Sequence, residues 1–408
     1  MSATWSRGAA SWVLALAVGW TSLAAIEYRA RDPDSRLYAE ISARMAVAPP
    51  AGWIAPEFPP GWYMSGAFRE HPVGLFLPAA ALAALGYPAA QAAYAMNAVY
   101  QVLAIVLTIR LAATLAAGVE ARALGWLIQL LPIAFVFRIR ANHEMALLVC
   151  LLAALYGTER ARRAPRFVVL TIAGLVGLLL VKGLFAVFGP ALCIAWLVAG
   201  RLRSEQPRAS DRWAWLGIAT GVAAMGLTAL GYEWLYRQAT GEPFWSFYMS
   251  RQIGVAAVTG NASGLVGLLY NLVWYLARVA WFPFPASVFL LVAAWPSARA
   301  VVRKASVVEA APNGGGTRAG AFFTAAVLAL YVGVFGLSDR RADRYIFPVY
   351  YAVGAAGGVA ALRLAAPLLR LARRLDRAWV PPAVWAVTFA AHLCAGRIGV
   401  PTLKFWAP

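Results

Sequence analysis

Acidic side chains with basic neighbours occur at two places in the first quarter of a chain that is otherwise strongly apolar. Asp34 lies between arginines, one of which is Arg36, and Glu70 is followed directly by His71 and a proline. A carboxylate fixed beside guanidinium groups can accept a proton from a hydroxyl group, although it can also simply cap a helix. A histidine beside a glutamate can contact a phosphate, bind a metal or be a structural group.

Asp34 is expected at the beginning of an amphipathic helix. Asp32 followed by Pro33 is a helix start signal, with the aspartate as N-cap and the proline in the first helical position. One predicted face is apolar at four-residue spacing and the other alternates in charge: Leu37, Ile41 and Met45 against Arg36, Glu40 and Arg44. Such a helix is typical of a membrane surface.

The composition places this helix on a membrane protein. Of 408 residues 62% are hydrophobic and 13% charged, whereas soluble domains are roughly 45–50% apolar. Repeated apolar runs along the chain have the length that bilayer spans need. These values exclude a soluble domain and predict an all-α polytopic membrane protein.

We predict about eleven transmembrane helices, within a range of nine to twelve, in a single membrane domain over residues 1–408. The predicted spans are residues 9–26, 90–117, 121–137, 143–157, 166–181, 184–200, 213–233, 283–298, 319–337, 345–362 and 379–396. The N-terminus is expected in the cytoplasm. The chain ends shortly after the last predicted span, so no soluble C-terminal domain is expected.

The net charge of +19 first suggests a nucleic-acid partner, but membrane topology explains most of it. In the predicted topology, twenty of the 36 basic residues and six of the 17 acidic residues lie inside. Sixteen basic and eleven acidic residues remain outside, where topology does not require them. Function is therefore expected on the outer side, and no nucleic acid is expected.

Three connecting segments are long enough to note. The first outer loop, residues 27–72, holds the amphipathic helix, and the second outer loop covers residues 234–282; both are aromatic-rich and should lie on the membrane surface. Residues 299–318 form a predicted flexible cytoplasmic loop that includes the sequence PNGGG. Trp62 and Tyr63 in the first outer loop are interfacial belt residues or platforms for a sugar ring.

Several short motifs together resemble membrane glycosyltransferases of the GT-C class. Asp34, Tyr38, Ala39 and Glu40 form Asp-x-x-x-Tyr-Ala-Glu, and Glu-His-Pro follows at residues 70–72 before an apolar run. Glu144 begins a predicted span, Lys182 and Gly183 resemble the Lys-Gly element of that class, and Arg344, Tyr345 and Pro348 resemble its Arg-Tyr-x-x-Pro segment. The bacterial aminoarabinose lipid A transferases and the protein O-mannosyltransferases (glycosyltransferase 39/83-like) are the most similar groups.

The resemblance implies transfer of a sugar from a polyprenyl phosphate to an acceptor hydroxyl, with inversion, at the outer face of the bacterial inner membrane. It implies catalytic roles for Asp34, as general base, and for Glu144. Contacts to the donor phosphate are expected from Arg36, His71, Lys182, Arg344 and Tyr345, and contacts to the sugar or acceptor from Tyr38, Trp62 and Tyr63. The acceptor is a lipid, glycan or protein.

The sequence differs from the family at two points, and it leaves open whether a metal is bound. The aminoarabinose transferases usually have Glu-Lys-Pro where this chain has His71, and they end in a soluble outer domain. A divalent metal could be held by Glu70 with His71 or Glu144, but the sequence shows no strong metal spacing. No glycine loop for nucleotide phosphates is present, which agrees with a lipid-linked donor.

Other function classes remain open from the sequence. A polymerase or ligase for surface polysaccharide would use the same lipid donor on the same face. A lipid-linked-sugar flippase or secondary transporter would place paired charges near the membrane midplane, whereas here the ionisable groups lie at predicted span ends. A scaffold that binds lipid phosphates without catalysis is the third alternative.

Overall fold

The computed structural model describes residues 32–115, 124, 127–128, 131, 140–203, 211–254, 265–295, 314–338 and 341–364. Within these ranges the chain is helical, and β-structure is limited to one isolated bridge between Glu57 and Ala67. The all-α prediction is therefore confirmed for the described part of the chain. The predicted spans 9–26 and 379–396 and most of 121–137 lie outside it.

Thirteen α-helices lie within these ranges and are numbered in chain order. They are α1 (Pro33–Met45), α2 (Pro50–Ile54), α3 (Phe76–Ala84), α4 (Ala89–Leu115), α5 (His143–Ala161), α6 (Val168–Lys182), α7 (Phe188–Arg203), α8 (Arg212–Thr240), α9 (Trp245–Met249), α10 (Leu265–Trp281), α11 (Ala286–Ala294), α12 (Gly314–Gly336) and α13 (Phe347–Leu364). Short 3₁₀ segments precede α3, α6, α7 and α13, and a π-helical turn, Ser250–Gly254, follows α9.

The amphipathic helix of the first loop begins where the sequence predicts. Helix α1 has Asp32 at its N-cap position and Pro33 as its first residue, and Leu37, Ile41 and Met45 are buried. The predicted capping bond is absent, because the Asp32 carboxylate instead accepts the Ser35 hydroxyl at 2.5 Å. The Ser35 hydroxyl in turn accepts the backbone N–H of Ala141 at 2.9 Å. This bond ties the start of α1 to the start of α5.

Five stretches of the described chain are long and apolar enough to cross a membrane. They are Ala89–Thr114, Pro165–Leu202, Arg212–Thr240, Arg318–Gly336 and Asp343–Leu364, and α10 with α11 forms a further apolar pair bent by 105°. The predicted span 283–298 is thus wrong as a straight span, because its helix α11 has nine residues and turns sharply from α10. The predicted flexible loop 299–318 is wrong over its last residues, since the apolar helix α12 already begins at Gly314.

The stretch Pro165–Leu202 contains a chain reversal. Its 38 residues would extend about 57 Å as one helix, nearly twice the thickness of a bilayer core. Lys182 at the end of α6 contacts Glu144, whereas Trp196 in α7 donates to Glu159, fifteen residues further along α5. The chain therefore turns back at Gly183, which has a φ of +53°, and the two predicted spans 166–181 and 184–200 are separate helices.

The bundle has two chemically different ends. The end that carries Glu144 and Lys182 is called the site end. At the opposite end, Asp211 accepts Arg162 at 2.8 Å and Arg201 at 3.4 Å. The sequence predicts the two arginines on one side of the membrane, away from Glu144, and their separation from it in the fold agrees.

Helix α5 lies in the middle of the described bundle and packs most closely against α6. Gly157 and Gly174 make this possible, because a Cβ at Gly174 would lie 2.5 Å from the Ala154 nitrogen and one at Gly157 would lie 2.5 Å from the Thr171 nitrogen. Small residues at a helix crossing are a common way to bring membrane helices together. This crossing fixes how the ends of α5 and α6 meet.

We expect Gly174→Ala to destabilise the protein because its methyl group meets backbone atoms that cannot move independently. Overpacking of this kind costs about 1–3 kcal/mol. Gly226→Ala in α8 is the matched control, since nothing lies within 4 Å of its Cβ position. Thermal unfolding in detergent should show a lower midpoint for the first variant and no loss for the second; equal midpoints would contradict the close α5–α6 packing.

Candidate active site

Charged and aromatic side chains from five segments meet at the site end. The segments are the start of α1, the turn at residues 70–72, the start of α5, the end of α6 and the 3₁₀ segment Asp343–Ile346 before α13. They are far apart in the sequence and are brought together because α5 and α13 begin at the site end and α6 finishes there. The cluster contains two carboxylate–cation pairs.

Asp34 and Arg344 form the first pair. The Arg344 guanidinium nitrogen Nη1 donates to Oδ2 of Asp34, so the second carboxylate oxygen remains available to another group. Both side chains are about one-third exposed, 38% for Asp34 and 34% for Arg344. Arg344, 310 residues away in sequence, thus takes the position that neighbouring arginines were expected to fill.

Lys182 and Glu144 form the second pair, which is buried. The Lys182 Nζ lies 3.7 Å from Oε1 of Glu144, and the two side chains are 5% and 2% exposed. The same ammonium group lies within electrostatic reach of Arg344 and Asp34. A buried charge needs its partner, so each member of this pair depends on the other.

Two histidines lie beside these pairs. The rings of His71 and His143 pack edge to face with centroids 4.1 Å apart, and the Tyr38 ring lies 4.7 Å from His143. Burial lowers the pKa of His71 well below its ordinary value, and the positive charges of Lys182 and Arg344 lower it further. His71 is therefore neutral at pH 7 and offers a hydrogen bond rather than the charge of a lysine.

Tyr38 is buried in the same group, with its ring among Phe68, Phe76 and the two histidines. Burial raises the pKa of Tyr38 well above its ordinary value, and the negative charge of Asp34 adds to the effect. The phenol is therefore un-ionised at pH 7, and its hydroxyl keeps its proton to donate.

The Glu70 carboxylate has contacts with one residue from each of the two predicted outer loops. The Tyr63 hydroxyl donates to its carboxylate at 3.0–3.1 Å, and Arg251 lies 3.4 Å from Oε1. Within the described ranges, no group of three His, Cys, Asp or Glu side chains is placed to hold a metal ion. The contacts of Glu70 and the packing of His71 do not favour the predicted metal pair.

Tyr345 joins the cluster through an aromatic row. Its ring stacks on Phe335 at 5.2 Å and lies 6.0 Å from Phe185. The Lys182 ammonium is 4.8 Å from the centroid of the same Phe185 ring. Tyr345 and Lys182 therefore share a neighbour.

Two predicted site residues lie apart from this group. Arg36 is exposed on α1, two residues after Asp34, and residues at that spacing do not share a helix face. Trp62 donates through Nε1 to Glu40 at 3.3 Å on the exposed side of α1. To reach the cluster, the Arg36 side chain would have to turn back over the helix.

Sequence reasoning missed His143 and Arg251. His143 was detectable in principle, because it precedes Glu144 at the start of a predicted span and is one of three histidines in the chain. Arg251 had no local signal, since it meets Glu70 only after two loops fold together.

An apolar cavity of about 590 Å³ begins about one helical turn below the two charge pairs. Leu148 follows Glu144 by four residues and Pro348 follows Arg344 by four, and both line the cavity. Its walls come from α4, α5, α7, α11, α12 and α13, and Arg318 and Arg363 line it toward the opposite end. The site end therefore places charged groups above an apolar space.

The described architecture is that of a multi-pass membrane protein with a GT-C-like fold. The similar solved structures include ArnT from Cupriavidus metallidurans in the apo state, with 19% sequence identity and a TM-score of 0.56 over 84% of this chain and 57% of that one. ArnT from the same organism bound to undecaprenyl phosphate matches with 20% identity and a TM-score of 0.60, over 97% of this chain and 66% of that one.

These similarities concern the fold. The chain spans less than two thirds of the length of either ArnT structure. No family model matches the sequence, and no curated protein matches it significantly.

The lowered pKa of His71 makes stability depend on pH. The unfolded chain binds a proton near pH 6.5 whereas folded His71 does not, so the free energy of unfolding falls as the pH drops below about 6.5. The loss is at most about 1.4 kcal/mol for each pH unit. Unfolding midpoints at pH 7.5 and 5.5 should differ more for the wild type than for His71→Gln; an equal change would mean that His71 has an ordinary pKa.

Proposed function

We propose that this protein transfers a sugar from a polyprenyl phosphate to a hydroxyl acceptor, with inversion, at the outer face of the bacterial inner membrane. The acceptor is a lipid, glycan or protein. The observation that carries the proposal is the arrangement at the site end, where the pairs Asp34–Arg344 and Glu144–Lys182 lie about one helical turn above an apolar cavity. The GT-C-like fold and the undecaprenyl phosphate bound to one of the ArnT structures support it.

Asp34 is the general base of the proposed reaction. Arg344 holds one of its oxygens, and the other accepts the proton of the acceptor hydroxyl. The hydroxyl oxygen attacks the anomeric carbon at the same time. The bond from this carbon to the phosphate oxygen breaks on the opposite face, so the configuration inverts. The electron pair leaves with the polyprenyl phosphate.

Cations stabilise the departing phosphate. Lys182 and Arg344 are the cations of the two pairs at the site end and share the phosphate, and the buried Glu144 holds Lys182 in place. His71 contributes a hydrogen bond in its neutral form, and Tyr345 flanks the phosphate beside Phe185. Negative charge that develops on the leaving group is thereby neutralised by these side chains.

The sugar and the acceptor approach from the exposed side of the cluster. Tyr38 presents an un-ionised hydroxyl next to the histidines, while Trp62 and Tyr63 offer aromatic surfaces nearer the solvent. The polyprenyl tail occupies the apolar cavity, because its lining residues Leu148 and Pro348 lie about one helical turn from the charged groups. Headgroup and tail are thus bound by the same helices.

The position of the ion pairs argues against a transporter. Glu144 is the second residue of α5 and Lys182 is the last residue of α6, so the buried pair lies at helix ends. Transporters instead place such groups near the membrane midplane. A polymerase or ligase for surface polysaccharide shares the donor, and the size of the product distinguishes it from transfer of a single sugar.

We expect Asp34→Asn to lower the rate of sugar transfer by about 10²- to 10⁴-fold, the usual contribution of a general base. Binding of undecaprenyl phosphate should change little, because the base contacts the acceptor. Transfer of a labelled sugar from a polyprenyl phosphate by the purified protein measures the first effect, and equilibrium binding measures the second.

Glu57→Gln is the matched control for this substitution. Glu57 is in the same predicted outer loop, is exposed and lies 4.0 Å from Arg44 rather than in the cluster. Its rate should stay close to that of the wild type. Full activity of Asp34→Asn would remove Asp34 from the role of base, and absence of both binding and transfer in the wild type would reject the proposed function.

Filling the cavity should act through the lipid tail. We expect Ala356→Phe, in the cavity wall, to raise the KM for a long-chain donor by about tenfold while a donor with a short prenyl chain is affected much less. Ala223→Phe on the exposed face of α8 should change neither value. Equal effects on long and short donors would place the tail elsewhere.

A further inference from the structure

One segment of the predicted second outer loop is hydrogen-bonded to the backbone of Lys182. We infer that residues 245–254, here called the bracing segment, position the Lys182 ammonium for the donor phosphate through the hydroxyl of Tyr248. The inference rests on the proposed function and adds a positioning residue to it. The bracing segment consists of α9 and the π-helical turn.

Tyr248 closes the end of α6. Its hydroxyl donates to the Lys182 carbonyl at 3.0 Å and accepts the backbone N–H of Leu184 at 3.1 Å. The last carbonyls of a helix have no partner within it, so this bond satisfies a group that would otherwise be buried alone. Because the carbonyl belongs to Lys182 itself, the bond fixes the residue that carries the ammonium group.

Gly183 shows how closely the end of α6 packs against Tyr248. Its φ of +53° is rarely adopted by other residues, and an added Cβ would lie 2.6 Å from Cζ and the hydroxyl of Tyr248. The Lys-Gly pair therefore turns the chain against a tyrosine supplied from more than sixty residues away. The glycine leaves the space that Tyr248 occupies.

The bracing segment is itself held in place at its start. Oε2 of Glu233 in α8 accepts the backbone N–H groups of Phe244 and Trp245 at 2.9 and 3.0 Å. The Trp245 indole also donates to the Ala229 carbonyl at 2.8 Å. Helix α8, which packs along α6, thus fixes the position of Tyr248 through these hydrogen bonds.

The end of the segment reaches the other side of the site. Gln252 donates to the Glu70 carbonyl at 3.2 Å, and Arg251 lies 3.4 Å from the Glu70 carboxylate. Glu70 directly precedes His71. The bracing segment therefore lies next to two residues with proposed phosphate contacts. It hydrogen-bonds to the backbone of Lys182 itself, whereas it reaches His71 only through the adjacent Glu70.

The test compares two lipids that differ by the phosphate alone. Equilibrium binding of undecaprenyl phosphate and of undecaprenol is measured with the purified full-length protein and with Tyr248→Phe. We expect the variant to raise the Kd for undecaprenyl phosphate by about 3- to 10-fold, the value of one or two lost hydrogen bonds. The Kd for undecaprenol should stay within about twofold, because the lost hydrogen bonds lie outside its binding surface.

Tyr236→Phe is the matched control. It removes a phenol hydroxyl from the same aromatic group, and in the described structure that hydroxyl is buried without a hydrogen-bond partner. Neither lipid should bind it differently from the wild type. In a Lys182→Met background, Tyr248→Phe should have no further effect on the phosphate lipid, since both substitutions then act on one interaction.

Several results would overturn the inference. Equal weakening of both lipids by Tyr248→Phe, an unchanged preference for the phosphate, or a full effect in the Lys182→Met background would each show that Tyr248 does not act through Lys182. A wild type with no preference for the phosphate lipid would instead reject the proposed function and the inference with it. If Tyr248→Phe is not monodisperse, Glu233→Gln loosens the bracing segment without touching Lys182 and carries the same expectation.

Discussion

The buried ion pair between Lys182 and Glu144 is the interaction on which the rest of the site depends. Both side chains are almost fully removed from solvent, and a buried charge without its partner is strongly destabilising. The pair can form only if the end of α6 meets the start of α5, which the glycines of their crossing allow. Close helix packing and the placement of charge are therefore one constraint.

Much of the fold could be predicted because it depends on local patterns. The apolar runs predicted α4, α5, α6, α7, α8, α12 and α13 to within a few residues at most of their ends, since bilayer spans need a fixed apolar length. Asp32 and Pro33 predicted the start of α1. The bend between α10 and α11 was missed, because hydrophobicity measures the length of an apolar run and not its direction.

The site was predictable residue by residue but not in its pairings. Asp34, Glu144, Lys182 and Arg344 were recognised from short motifs, and the fold brings them together. Sequence proximity suggested Arg36 as the neighbour of Asp34, yet helix geometry turns it away and Arg344 contacts the carboxylate instead. Tyr248 could not be predicted, because its bond to the Lys182 carbonyl is a contact with backbone and leaves no residue-type signal.

The pairing of Asp34 with Arg344 has a consequence for how the protein is made. Asp34 lies near the beginning of the chain and Arg344 is 310 residues later. A ribosome inserting the helices one after another would deliver the first carboxylate early and its guanidinium partner only with α13. The partly synthesised protein would hold an incomplete cluster throughout insertion, so the Asp34–Arg344 pair would form only once α13 is in place.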